Sequence, residues 1–178
     1  MVEQVKYRSD TLSTAVAERH SVESITEILS AINDPEVPAI NIMELGIVRD
    51  IQLNDSEVSI TITPTYSGCP AMKVIEDEIR RVCTENGLPT VSIKTIYSPA
   101  WTTDWIPESA KEKLKNYGIA PPHMTDQSPL IQIELPNVQC PHCKSANTQL
   151  KSEFGSTACK SYYFCNTCRQ AFEYFKSF

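Results

Sequence analysis

Two short motifs, Cys140-Pro-His-Cys143 and Cys165-Asn-Thr-Cys168, constrain this chain more than any other feature of it. Each C-x-x-C knuckle turns the backbone so that two thiolates face one point, and two knuckles complete a tetrahedral cage for a metal ion. The 21 residues between them slightly exceed the commonest window for such sites but leave room for a hairpin. Zinc is the expected ion. Iron held as in a rubredoxin is the rival, but those knuckles favour glycine after the second cysteine, where this chain has Lys144 and Arg169. These two cations would offset part of the negative charge of a zinc tetrathiolate. His142 is a fifth donor, yet four cysteines already fill the site, so it reads as a surface residue. Four protein ligands leave no position for water or substrate, which makes the centre structural rather than catalytic.

A module of ~40–50 residues buries too little surface to hold itself together and needs a staple. The segment 130–178 fits that description: Ile131, Ile133 and Leu135 alternate toward the first cysteine pair, and Tyr162, Tyr163, Phe164, Phe172, Tyr174 and Phe175 gather around the second. It reads as a zinc ribbon. Residues 121–129 begin and end with proline and read as a linker, and residues 1–20 are polar without firm periodicity, a frayed arm.

Between arm and linker, residues 21–120 read as an α+β domain. Ser21 can cap a helix with Val22, Ile25, Ile28, Leu29 and Ile32 on one face, ended by Asn33-Asp34-Pro35. Residues 47–53 and 58–63 look like two strands, the second alternating Val58, Ile60 and Ile62 with Ser59, Thr61 and Thr63. A loop then feeds a helix from Pro70 to about Asn86, with Val74, Ile75, Ile79, Val82 and Cys83 as its expected buried stripe and Gly87 as its stop. Residues 90–97 read as a third strand and 109–117 as a charged helix closed by Gly118. The order implies a small sheet with helices on one face, followed by the four-cysteine ribbon.

Composition excludes several function classes. No run approaches the ~20 apolar residues of a membrane helix, and the N-terminus lacks a signal peptide's apolar core. A cytoplasmic protein is expected, so its seven cysteines are read as metal ligands or chemistry before disulfides. The net charge is −6, but unevenly spread: residues 137–178 carry +3 and residues 1–136 carry −9. An acidic body with a sparsely basic tail disfavours nucleic acid and suits docking between proteins.

Cys69, in Pro64-Thr-Tyr-Ser-Gly-Cys69-Pro70, is placed at a helix N-terminus, where free N–H groups and the dipole favour the thiolate. It could be a nucleophile, a soft ligand for iron or a cluster, or simply a small buried hydrophobe. A nucleophilic enzyme wants a base beside it, and outside the knuckle only His20 and His123 are available, one in the arm and one in the linker. No catalytic constellation results, so the chain reads as a non-enzyme. Asp34 and Glu36 could place carboxylates near Cys69, or cap helix ends. Cys83 reads as core, and Cys159 as a spare thiol near the metal or an idle one. Trp101 and Trp105 could anchor a partner protein or close the edge of a small core.

Asp34-Pro-Glu36-Val-Pro38, Glu44-Leu-Gly46-Ile-Val48, Thr61-Ile-Thr-Pro-Thr-Tyr-Ser-Gly-Cys69-Pro70 and Ser98-Pro-Ala-Trp-Thr-Thr-Asp-Trp105 resemble the domain of iron–sulfur assembly factors such as SufT. More narrowly, together with Gly118-Ile-Ala-Pro-Pro122, Phe154-Gly-Ser-Thr-Ala-Cys-Lys160 and Phe172-Glu-Tyr-Phe-Lys176, they resemble the PaaD-like accessory proteins of bacterial phenylacetate degradation. The likeness implies a maturation role for the multicomponent oxygenase that epoxidises phenylacetyl-CoA, directed at the iron–sulfur cluster of its reductase component. It implies that Cys69 is the family's loop cysteine, Asp34 and Glu36 its acidic motif, and the oxygenase components its partners. Cys69 would then ligate iron or a cluster transiently, a homodimer could pair two such loops, and the ribbon with Trp101 and Trp105 would dock the client. The alternative is a structural subunit of the oxygenase that never handles a cluster.

Overall fold

The computed structural model describes residues 20–54, 57–66, 68–88, 90–123 and 138–178. They form two compact units, divided between Trp101 and Thr102.

In the first unit, helix α1 (Val22–Ser30) starts at a reciprocal cap. The Ser21 hydroxyl accepts the Ser24 N–H at 3.2 Å, and the Ser24 hydroxyl accepts the Ser21 N–H at 3.0 Å. Ile25 and Leu29, four apart, are fully buried. The proline-bearing segment after the helix is irregular but tightly bonded: the Asp34 carboxylate accepts the N–H groups of Glu36 (2.8 Å) and Val37 (2.7 Å). Val37, Ile40, Ile42 and Leu45 go into the core from this segment.

Strands β1 (Val48–Leu53) and β2 (Glu57–Ile62) pair antiparallel, and helix α2 (Ala71–Glu85) crosses over to β3 (Thr90–Thr95), which runs parallel to β2. The sheet order is β1-β2-β3. Val58, Ile60 and Ile62 are buried on the face that α1 and α2 cover, so the fold is α+β with helices on one side of the sheet. The buried stripe of α2 is Ala71, Ile75, Ile79 and Cys83, a strict spacing of four. Val74, expected in that stripe, is 55% exposed. It lies next to Ile75 in sequence but a hundred degrees round the helix, on the rim of a groove shared with Ala31, Ile32 and Pro35.

In the second unit a short 3-10 turn (Thr103–Trp105) precedes helix α3 (Glu108–Tyr117), which ends at Gly118 in the left-handed conformation, φ 93°. Strand β4 (Ile119–Ala120) pairs parallel with β7 (Ala171–Phe175), and β6 (Lys160–Cys165) and β5 (Thr148–Ser152) complete a sheet of order β4-β7-β6-β5. Ala120, Val138, Cys140, Tyr163, Cys165, Phe172 and Tyr174 form its core. Helix α3 and residues up to 120 thus fold with the ribbon, not with the first sheet as the 21–120 boundary had it. The cause is β4, whose two residues bond to Glu173 and Tyr174 and are too few to show any periodicity. The expected arm up to residue 19, most of the expected linker, and Ile131, Ile133 and Leu135 lie outside the described residues.

Candidate functional site

Both knuckles are built by the same backbone turn. The Lys144 N–H donates to the Cys140 carbonyl (2.9 Å) and the Arg169 N–H to the Cys165 carbonyl (3.0 Å). Lys144 and Arg169 consequently sit at φ 61° and 63°, a region glycine enters without cost and other residues do not. Polar contacts tie the knuckles together: the hydroxyls of Ser145 and Thr167 meet at 2.7 Å, and the Asn166 N–H donates to the Asn147 carbonyl at 2.9 Å.

The sulfurs of Cys140, Cys143, Cys165 and Cys168 all lie within 4.8 Å of one another, with Cys140–Cys168 and Cys143–Cys165 each at 3.6 Å. A tetrahedron with metal–sulfur bonds of about 2.3 Å has edges of about 3.8 Å, so the cage fits a four-thiolate metal centre. The electrostatics say the same. Backbone N–H groups of Cys168 and Thr167 aim at the Cys165 sulfur and lower its pKa to about 6. Burial foremost raises that of Cys140. Four sulfurs this close ionise together only around a cation. Cys140 and Cys165 are buried, Cys168 is half-buried and Cys143 is exposed, so one side of the cage faces solvent.

Cys69 lies at the end of the loop from β2 to α2, one residue before Pro70, where the α2 backbone begins to turn. It is half-buried. The Ala71 N–H at the helix end and the Thr65 hydroxyl both act to lower its pKa, but on balance the pKa is raised. Burial is the main cause, and the charges of Glu36 and Asp34 add to it. The expectation of a thiolate favoured by the helix end is therefore corrected: burial outweighs the N–H at the helix end, and Cys69 is a thiol at neutral pH. Asp34 and Glu36 are near enough to act on Cys69 through charge, yet among the described residues only the four knuckle cysteines converge as metal ligands. Thr65 carries no signal in the sequence, since a threonine four residues before a cysteine has no diagnostic spacing. Thr63, where the loop leaves β2, is buried, and its hydroxyl lacks a hydrogen-bond partner among the described residues.

Trp101 is only 6% exposed, and its indole N–H donates to the Leu45 carbonyl at 2.9 Å. It closes the first core and is not available as a docking anchor. Trp105 is half-buried in the 3-10 turn. Cys159 is buried with its sulfur 3.1 Å from the Thr157 hydroxyl, and it is not part of the four-sulfur group. Cys83 is core, and His142 is exposed with its ring against Gly118.

A family model described as "Iron-sulfur cluster assembly protein" matches residues 23–94, and one described as "PaaD zinc beta ribbon domain" matches residues 126–176. The chain is 46% identical over 155 residues to an Escherichia coli protein named as a subunit of the "Putative 1,2-phenylacetyl-CoA epoxidase", covering 87% of this chain and 92% of that relative. It is also 32% identical to a "Fe-S protein maturation auxiliary factor" of Porphyromonas gingivalis, over 52% of this chain and 89% of that one. A "Fe-S protein maturation auxiliary factor YitW" of Bacillus subtilis is likewise 32% identical, over 50% of this chain and 88% of its own length. Both maturation factors align with about half of the chain, whereas the Escherichia coli protein aligns with most of it. No helix among the described residues is long and apolar enough to cross a membrane.

Proposed function

This chain belongs to the PaaD family, the family of that phenylacetyl-CoA epoxidase subunit, and from this membership we propose that it is a cytoplasmic accessory factor of phenylacetate breakdown. It assists assembly or insertion of the iron–sulfur cluster in the reductase component of the epoxidase, and it is not itself an enzyme. Its zinc centre, held by Cys140, Cys143, Cys165 and Cys168, keeps the ribbon folded.

Cys69 is the observation that supports the reading. It is a half-buried thiol outside the four-sulfur group, in the region matched by the assembly family, with the charges of two carboxylates nearby. Glu36 and Asp34 make the bare thiolate unfavourable, and the same charges attract a cation. A cationic cargo would therefore displace the thiol proton at neutral pH, where the thiol otherwise keeps it. A cluster takes four thiolates as a rule, so the other donors come from the client, a small thiol or a second copy of the chain. Replacing Cys69 by serine in the host should lower cluster occupancy of the reductase while the variant keeps its fold and metal; unchanged occupancy would remove Cys69 from the mechanism.

The name of the Escherichia coli relative supports a second reading, a stoichiometric structural subunit of the oxygenase. Co-purification in fixed ratio with the active complex, together with a normally loaded reductase in a strain lacking this chain, would favour it.

A further inference from the structure

The outer face of the ribbon's sheet carries what the buried Trp101 cannot supply. Along a strand successive side chains point to opposite faces. On β6, Tyr163 and Cys165 enter the core, so Tyr162 and Phe164 stand on the other side. Tyr162 is 42% exposed and Phe164 half-buried. Gln149 of β5 and Ala171 of β7 lie opposite Phe164 in register, and both are exposed. Two cations bracket the Phe164 ring, Lys151 Nζ at 5.5 Å and the Arg169 guanidinium at 5.7 Å from its centroid. The acid of this face, Glu173, is engaged by Lys160 and by the Ser156 N–H. Arg169 also holds a left-handed backbone that glycine would adopt freely.

Tyr, Phe and Arg are enriched in protein-docking surfaces, so Tyr162, Phe164 and Arg169 supply the composition of one and Lys151 adds to its charge. We infer that this face docks an acidic protein surface, with carboxylates meeting Lys151 and Arg169 and an aliphatic side chain resting on Phe164. Charge complementarity selects the occupant. Two cations separated by an aromatic ring match one or two carboxylates, whereas a nucleic-acid track needs a longer row of phosphate contacts. The inference does not rest on the cluster-handling reading, since it concerns a surface of the second unit alone.

The test is an amide-resolved NMR titration of the zinc-loaded full chain with a short synthetic peptide, a central leucine flanked on each side by glutamates. Saturable shifts at Tyr162, Phe164 and Arg169 are expected. The K151E/R169E variant, both positions exposed, should bind at least about tenfold more weakly, equivalent to about 1.4 kcal/mol. A K73E/K94E control, the same charge change placed on the first unit, should bind nearly as the parent does. Absence of saturable shifts, equal binding of a peptide with lysines in place of the glutamates, equal weakening by the control, or tighter binding of oligo-dT at the same residues would each overturn the inference.

Discussion

Glu173 closes the loop between β5 and β6, and its removal gives the sharpest energetic test of how the ribbon is held. Its carboxylate accepts the Ser156 N–H at 2.6 Å and pairs with Lys160 Nζ at 3.1 Å. The Lys160 side chain is 4% exposed, so its ammonium is cut off from water when the pair is broken. Removing one partner of such a pair costs about 3–5 kcal/mol, and because Glu173 is itself partly solvated and Lys160 keeps a further contact the lower end applies, about 3 kcal/mol for Glu173→Gln. Hydrogen exchange by mass spectrometry on the metal-loaded full chain reads this in β6 and β7, where exchange should accelerate about 150-fold. Replacing both partners with apolar residues, K160M/E173L, should recover much of the loss. Gly155→Ala should reproduce part of it, since a Cβ there would lie 2.7 Å from the Glu173 carboxylate. An acceleration below about fivefold in the glutamine variant would refute the reasoning. The pH dependence follows from the same pair. Burial resists ionisation of Glu173, but Ser156 and Lys160 overcome it and hold the carboxyl below its ordinary value. Its stabilisation is therefore complete above the unfolded pKa of about 4.3 and is lost as pH falls through the lower folded value.

Thr63→Val removes a buried hydroxyl that lacks a partner among the described residues and should stabilise the first unit by about 1 kcal/mol, read as slower exchange in β2; a loss of stability would show that the hydroxyl is bonded. Glu36→Gln removes one of the charges that raise the Cys69 pKa, so iodoacetamide should alkylate Cys69 faster at a fixed neutral pH, with the rate–pH curve moved to lower pH; an unmoved curve would show that the Glu36 charge does not act on the thiol. Stripping the metal with a strong chelator should collapse the amide dispersion of residues 138–178 while β1–β3 keep theirs, and restoring zinc should reverse it; a ribbon that stays folded without metal would contradict its dependence on the centre.

Periodic features are legible in the sequence because periodicity is local. The alternation of Val58, Ile60 and Ile62 locates β2, and the paired C-x-x-C spacing locates four sulfurs that do converge. Features set by a distant part of the chain are not legible in this way. Val74 belongs to an apolar run, and only the packing of α2 within the first unit decides that it stays outside. Strand β4 exists because β7, some fifty residues later, offers it an edge. The helix end beside Cys69 predicts a low pKa, whereas the desolvation that decides it comes from the folded surroundings. Trp101 could anchor a partner or fill a core, and the Leu45 carbonyl that settles the choice lies 56 residues earlier. The docking face around Phe164 depends on Lys151 and Arg169 meeting across one ring, which only the hairpin register brings about.

A division between sulfurs that hold shape and one that handles cargo is open to direct measurement. Zinc-loaded parent and Cys69→Ser protein would be exposed anaerobically to ferrous iron, sulfide and glutathione as the small-thiol donor, desalted, and analysed for zinc, iron and acid-labile sulfide. The parent should retain iron and sulfide in addition to its zinc, and the serine variant should retain zinc alone. Equal iron in both proteins, or iron gained only as zinc is lost, would place the cargo on the four knuckle cysteines and contradict the account.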